Sequence, residues 1–250
     1  MFIFMRNFKI FMSYDGAAYH GFQRQENALA IQQILEEKIQ KILCEKIIIY
    51  GCSRTDTGVH ANEFCFNFKH ENTITCNGFI LAMNCCLPDD IAILSCEEVD
   101  EGFHARYDCT AKEYIYKIHN SNIKNPFLKN RAFRYYNHID ENLLNEAAQH
   151  FVGTYDYKTF CSAGSSSTST VRTIFSFEVK REGDLIIMLV KGDGFLYNMV
   201  RIMVGTLIFV NEGKIQASQI EDIILSGDRN RAGKTAVSRG LYLNKVFYDV

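Results

Sequence analysis

Two rhythms of apolar and polar residues alternate along this chain. "NFKIFMSYDG" (7–16) alternates with period two and then turns, which predicts a strand. "ALAIQQILEEKIQKIL" follows with apolar residues at Ile31, Ile34, Leu35, Ile39, Ile42 and Leu43. That spacing predicts one apolar helix face, with Asn27 as the expected cap. "EKIIIYG" predicts a short buried strand. "NEFCFNFKH" sets Phe64, Phe66 and Phe68 against Cys65 and Asn67, the pattern of a half-buried strand. "NGFILAMNCC" predicts a short helix and "IAILSCEEV" another strand, so the first half reads β-α-β-β-α-β.

The second half has related content. "AKEYIYKIH" and "RAFRYYN" predict strands. "DENLLNEAAQHFVG" predicts a helix capped by Asp140 and ended by Gly153, with Leu143, Leu144, Ala147 and Phe151 inward. "TVRTIFSFEVKREGDLIIMLVKGD" predicts a hairpin turning at Glu182-Gly183-Asp184. A helix around Arg201, then the stretch "ASQIEDIILSG", a polar basic loop and a last strand in "LYLNKVFYDV" complete the chain. Helices among mostly antiparallel strands indicate an α+β fold, with helices gathered on one face of a sheet. The boundary falls between Gly102 and Thr110 and divides the chain into halves 1–103 and 104–250. "SAGSSSTST" (162–170) is too small and polar to pack, and reads as a mobile surface loop or lid.

Composition narrows this little. A chain of 250 residues suits one large domain or two small ones. The formal net charge is −2, which argues against a protein that coats nucleic acid by bulk charge. The charges are uneven: nine basic residues face fifteen acidic ones up to Cys109, and eighteen face fourteen beyond it. A local basic surface is compatible with that total. The start "MFIFMRNFKIFM" lacks a basic leader and is broken by Arg6 and Lys9, so no signal peptide is expected. The 9 cysteines, without repeated spacing, then read as reduced thiols of a cytoplasmic protein, most of them small core hydrophobes. "FLYNMVRIMVGTLIFV" is shorter than the roughly 20 residues a membrane span needs, and holds Asn198 and Arg201. It predicts a buried core helix and no membrane span.

Candidate chemistry comes down to a few stretches. There is no C-x-x-C. After His70-Glu71, Ile74 stands where a zinc protease needs its second histidine, so no metal is expected. "GDRNRAGKT" (227–235) has five residues where a phosphate-binding loop has four. Its Arg229, Arg231 and Lys234, with Arg239, fit either a solvated loop or contact with a polyanion backbone. "SRTDTGVHA" (53–61) fits a polar turn with a surface ion pair, or a carboxylate displayed beside a cation at a strand end. A nearby cation keeps such a carboxylate ionised and usable as nucleophile or base. Gly58 would let a substrate backbone approach closely.

The last stretch resembles the signature of the TruA-type tRNA pseudouridine synthases, in which Arg-Thr-Asp carries the catalytic aspartate. Arg54-Thr55-Asp56 and Gly58-Val59-His60 fit it, whereas Ser53 and Thr57 stand where the family has glycine and alanine. "YDGAAYHGFQRQ" resembles the N-terminal motif, with Phe22 where tryptophan is commoner. "LPDDIAI", "FHARYDCTAKEYIYKI", "FVGTYDYKTFCS", "TVRTI", "GDGFLYNMVRIMVGTL" and "GLYLNKVFYD" follow in the family's order along nearly the whole chain.

The resemblance implies an isomerase that converts uridine to pseudouridine at positions 38, 39 and 40 of the tRNA anticodon stem-loop, without metal or nucleotide cofactor. By position, Asp56 takes the place of the catalytic aspartate, acting at ribose C1′ as nucleophile or at C2′ as base. Arg201 takes the place of the arginine paired with it. Tyr114 takes that of the tyrosine stacked on the target base, worth roughly 1–3 kcal/mol as an aromatic–base contact. Arg54 takes that of an arginine holding the flipped nucleotide. Arg24, Lys112, Arg172 and the Arg229–Arg239 loop are weaker candidates for gripping RNA. The resemblance also implies two α/β halves whose antiparallel sheets join into one, a cleft between them, and a homodimer that tRNA spans. An RNA-binding paralogue with lost or altered activity is the alternative that Ser53, Thr57 and Phe22 motivate.

Overall fold

The computed structural model describes residues 5–71, 73–165 and 167–248. The first four residues of the apolar start, Ser166 in the serine-rich stretch and the last two residues of the closing strand lie outside them. In chain order the elements are β1 (Arg6–Tyr14), α1 (Ile31–Leu43), β2 (Tyr50–Gly51), β3 (His60–His70), α2 (Cys76–Cys86), β4 (Ile91–Val99) and β5 (Cys109–Asn120). Then come β6 (Phe133–Tyr135), α3 (Glu141–Gln149), β7 (Gly153–Asp156), β8 (Val171–Glu182), β9 (Leu185–Gly192), α4 (Met199–Asn211), α5 (Ile220–Leu225) and β10 (Leu241–Tyr248). The hydrogen-bonded order of the sheet is β4-β1-β3-β10-β5-β9-β8-β7, with β2 on β3 and β6 on β5. The pairing of β6 with β5 is parallel, so the sheet is mixed.

The chain forms two compact units: residues up to Thr110 with those from Leu243 onward, and Ala111–Tyr242. In the first unit, α1 buries Ile31, Leu35, Ile39 and Leu43, one residue per turn. Its cap position is Ala30 and not Asn27, and no side chain caps it. The reason is local: backbone carbonyls of Gly21 and Phe22 accept from the amides of Ile31 and Gln32 at 3.2 and 2.9 Å, taking two donors that a cap would satisfy.

β3 is buried on both faces, against the half-buried expectation. Phe64 and Phe68 pack on Phe22 and Phe8, with ring centroids 4.2 and 5.3 Å apart. On the other face Asn67 donates to Asn7 at 3.0 Å and accepts from the Ala105 amide at 2.9 Å. Tyr248 closes over the same segment by donating to the Ala105 carbonyl. In "EKIIIYG" only Tyr50 and Gly51 pair with β3; Ile47 and Ile49 are buried as irregular chain. Most cysteines are not core residues either: Cys52 and Cys65 are buried, Cys44 and Cys85 exposed, the rest half-buried.

In the second unit, Asp140 caps α3 by accepting from the Asn142 and Leu143 amides. Leu144, Ala147 and Phe151 are buried, whereas Leu143 stays partly exposed. α3 ends at Gln149, and Gly153 instead opens β7 at φ 136°. The β8–β9 hairpin turns as expected, with Glu182 opposite Leu185 and Gly183 at φ 59°. α4 is buried around nearly its whole circumference, and Arg201 is its half-buried exception in the first turn. Among the described residues, no helix is long and apolar enough to cross a membrane.

Candidate active site

The segment between β2 and β3 alternates in exposure. Arg54 is exposed, Thr55 buried, Asp56 half-buried and Thr57 exposed. The Val59 amide donates to the Asp56 carbonyl at 3.1 Å, closing a four-residue turn. Gly58 is its third residue, at φ 75°, a conformation that side chains rarely adopt. The turn itself therefore requires this glycine.

The stretch Tyr14–Phe22 holds that turn from behind. The Gly58 amide donates to the Tyr19 carbonyl at 3.2 Å, and the Phe22 amide to the Thr55 carbonyl at 3.2 Å. The hydroxyls of Tyr14 and Thr55 share a buried hydrogen bond of 2.8 Å. Between Met12 and Tyr14 the register of β1 on β3 shifts, as at a bulge. Two glycines allow the loops to touch. A Cβ on Gly16 would lie 1.9 Å from the Val59 carbonyl oxygen, and one on Gly21 2.4 Å from that of Thr55. Phe22 is a core ring between Phe64 and Gly51, not a surface group.

An ionic group supports the scaffold in turn. The buried Tyr19 phenol donates to Asp90 Oδ1 at 2.5 Å, and the Asp15 amide to the Asp90 carbonyl at 2.9 Å. His60 Nδ1 lies 2.9 Å from Asp15 Oδ1 and accepts from the Gly16 amide at 3.1 Å. Burial first, then the bond to Asp90 and the charge of Asp15, raise the Tyr19 phenol well above its ordinary range. It stays protonated and remains a donor.

Tyr114 and Arg201 belong to the second unit. Tyr114 sits opposite Val190 on β9, is nearly buried, and meets Phe195 edge to face with centroids 5.1 Å apart. Tyr116, two residues on, is fully buried and donates to the Val237 carbonyl at 2.7 Å. Burial raises its phenol, while the charges of Arg201 and Arg239 pull it down. Arg201 Nε donates to the Ala236 carbonyl at 2.7 Å, and one terminal nitrogen to Asn198 Oδ1 at 2.6 Å.

The basic loop that follows is built, not merely solvated. Arg229 donates to the Gly233 carbonyl at 2.9 Å and to Thr235 at 3.1 Å, and burial lowers its pKa. Gly233 donates to Thr206 of α4 at 2.8 Å, where a Cβ would lie 2.3 Å from Gly205. The glycine of "AGKT" thus serves close packing against a helix. Arg231, Lys234 and Arg239 remain exposed. Two weaker candidates also make bonds within the chain: Arg24 pairs with Glu36 at 3.1 Å. Arg172 donates to the Ser169 carbonyl at 3.0 Å and to Ser167 at 2.8 Å, tying down the serine-rich loop.

Residue chemistry singles out Arg54 and Asp56 and the resemblance adds Tyr114 and Arg201; both pass over Tyr14, Tyr19, Asp90 and Asn198, which orient their surroundings. All four lie inside the stretches quoted for the resemblance. What marked them was membership of a motif, since their own chemistry is ordinary.

A family model described as tRNA pseudouridine synthase matches residues 10–108 and 147–249. A protein named tRNA pseudouridine synthase A from Acetivibrio thermocellus is 45% identical over 244 residues, covering 98% of this chain and 100% of its own. Proteins of that name from Thermoanaerobacter sp. and Clostridium acetobutylicum are 41% and 42% identical at the same coverage. The stretch with Asp56 and the helix with Arg201 both fall inside the matched residues, and the chain belongs to the TruA-type tRNA pseudouridine synthases, isomerases that convert uridine in tRNA.

Proposed function

We propose that the protein acts on the anticodon stem-loop, at positions 38, 39 and/or 40, with Asp56 working on the ribose of a flipped-out uridine. The clamped turn carries this reading. Asp56 is partly accessible, while the turn around it is tied to the Tyr14–Phe22 stretch by two backbone hydrogen bonds and by one between the hydroxyls of Tyr14 and Thr55. A group held in this way loses little entropy on meeting substrate. As a carboxylate it either bonds to C1′ as N1 departs and is itself displaced when C5 bonds there, or takes the C2′ proton as N1 departs and returns it when C5 bonds to C1′. By either route the N1–C1′ bond breaks, the uracil turns, C5 bonds to C1′, and the C5 proton leaves as N1 takes one up.

A stacked base must leave its helix before C1′ is reachable. In this reading the exposed Arg54 braces the vacated place, Tyr114 stacks on the uracil, and Arg201 supplies a cation to the substrate. The protein is a cytoplasmic homodimer whose subunits share one tRNA. The test uses tRNA transcripts tritiated at uracil C5. The wild type is expected to release tritium and leave pseudouridine at positions 38–40. Asp56→Ala is expected to bind the same tRNA and release none. Release by Asp56→Ala, or product elsewhere in the tRNA, overturns the reading. Sedimentation of the same preparation should give twice the 28.7 kDa chain.

A further inference from the structure

Asn198 stands immediately before α4 with φ 62° and ψ 8°, the left-handed region. Asparagine enters that region more readily than most residues. At a helix start its side chain would ordinarily accept from a backbone amide of the first turn. Here it makes no capping bond. Instead Oδ1 accepts from an Arg201 terminal nitrogen at 2.6 Å, and Nδ2 donates to Ser162 Oγ at 3.0 Å. A guanidinium has only donors, so the amide orientation follows from its partner.

Arg201 is held at a second nitrogen by the Ala236 carbonyl, and its own carbonyl accepts from the Ala236 amide at 3.0 Å. Acceptors at two different nitrogens help fix the guanidinium plane. The same amide reaches Ser162, the first residue of the serine-rich stretch, whose amide donates to the Tyr197 carbonyl at 3.1 Å.

We propose that Asn198 is a positioning residue for Arg201 in the isomerisation: it gives up the helix cap to fix the guanidinium plane, and ties that plane to the start of the serine-rich loop. The inference rests on the reading of Arg201 as a substrate-site group.

Asn198→Gly isolates the side chain, because glycine adopts the same backbone conformation without strain. It is expected to lower kcat for tritium release about tenfold or more, with KM within about twofold and an unchanged melting temperature. Asn198→Asp keeps an acceptor and should recover most of the loss. Ser162→Ala, which leaves the Arg201 bond intact, should keep a kcat close to wild type. If the glycine variant melts below the assay temperature, Asn198→Ser replaces it, since its short hydroxyl also fails to reach the guanidinium. Wild-type kcat in the folded variant overturns the proposal, as does a loss that Asn198→Asp does not relieve. Arg201→Met separates the two readings. If it is active, the role given to Arg201 falls; if it is inactive while Asn198→Gly is fully active, only the role of Asn198 falls.

Discussion

A carboxylate is useful to an enzyme only if its backbone stays still, and the turn that carries Asp56 is held by the Tyr14–Phe22 stretch. Tyr19 is the clearest case. Its carbonyl holds Gly58, and its phenol is anchored by Asp90 at 2.5 Å. Tyr19→Phe leaves the backbone bond in place and removes only the anchor. The buried site then loses a hydrogen bond to a charged acceptor, a loss of about 1.5–3 kcal/mol. Chemical denaturation should show that decrease. Tritium release should show kcat falling while KM for tRNA changes little, since the hydroxyl binds protein and not substrate. If KM rises and kcat holds, Tyr19 touches RNA instead.

At the scale of elements, what was legible in the sequence was what is local. Apolar spacing located α1, α3 and α4, alternation located β1 and β4, and the Glu182–Asp184 turn located the β8–β9 hairpin. The misjudged features depend on partners outside their own element. Asn27 seemed a cap because the loop carbonyls that replace it belong to a different motif. β3 seemed half-buried because its second cover comes from 100–105 and from Tyr248. Gly233 reads in sequence only as part of a basic loop, because nothing near it shows that it lies against Gly205. Among the candidate residues, Arg54 and Asp56 were suspect from chemistry alone, whereas Tyr114 and Arg201 needed the family pattern. The α4 contact also makes a prediction. Thr206→Val removes the hydroxyl that accepts from the buried Gly233 amide while keeping the shape. An amide left without its partner costs about 1–3 kcal/mol. The melting temperature should fall, and the Arg229–Arg231 segment should become more open to proteolysis. Unchanged protease sensitivity would show that the loop is held by other means.

For the molecule as a whole, carboxylates make one contribution to the response to acid. Three of them are held below the ordinary glutamate range. Glu98 is lowered by its ion pair with Arg6, and Glu141 first by its own backbone amide at the start of α3 and then by Arg181. Glu212 is lowered by Lys214 and further by the Tyr135 hydroxyl. A group that ionises more readily folded than unfolded favours the folded state above its unfolded pKa, and that contribution disappears as pH falls through its folded pKa. The contribution of these three is therefore complete at neutral pH, begins to fail near pH 4.5, and is gone once all are protonated in both states. All three are close to solvent, where such pairs contribute little, so the combined effect on melting temperature should be a few degrees at most. Replacing all three with glutamine tests this directly. The melting temperatures of wild type and variant should differ most near pH 7 and converge at a pH low enough to protonate all three in both states. A gap that stays constant down to that pH would mean that the substitutions act through packing, and that the charges of these three residues contribute nothing to the fold.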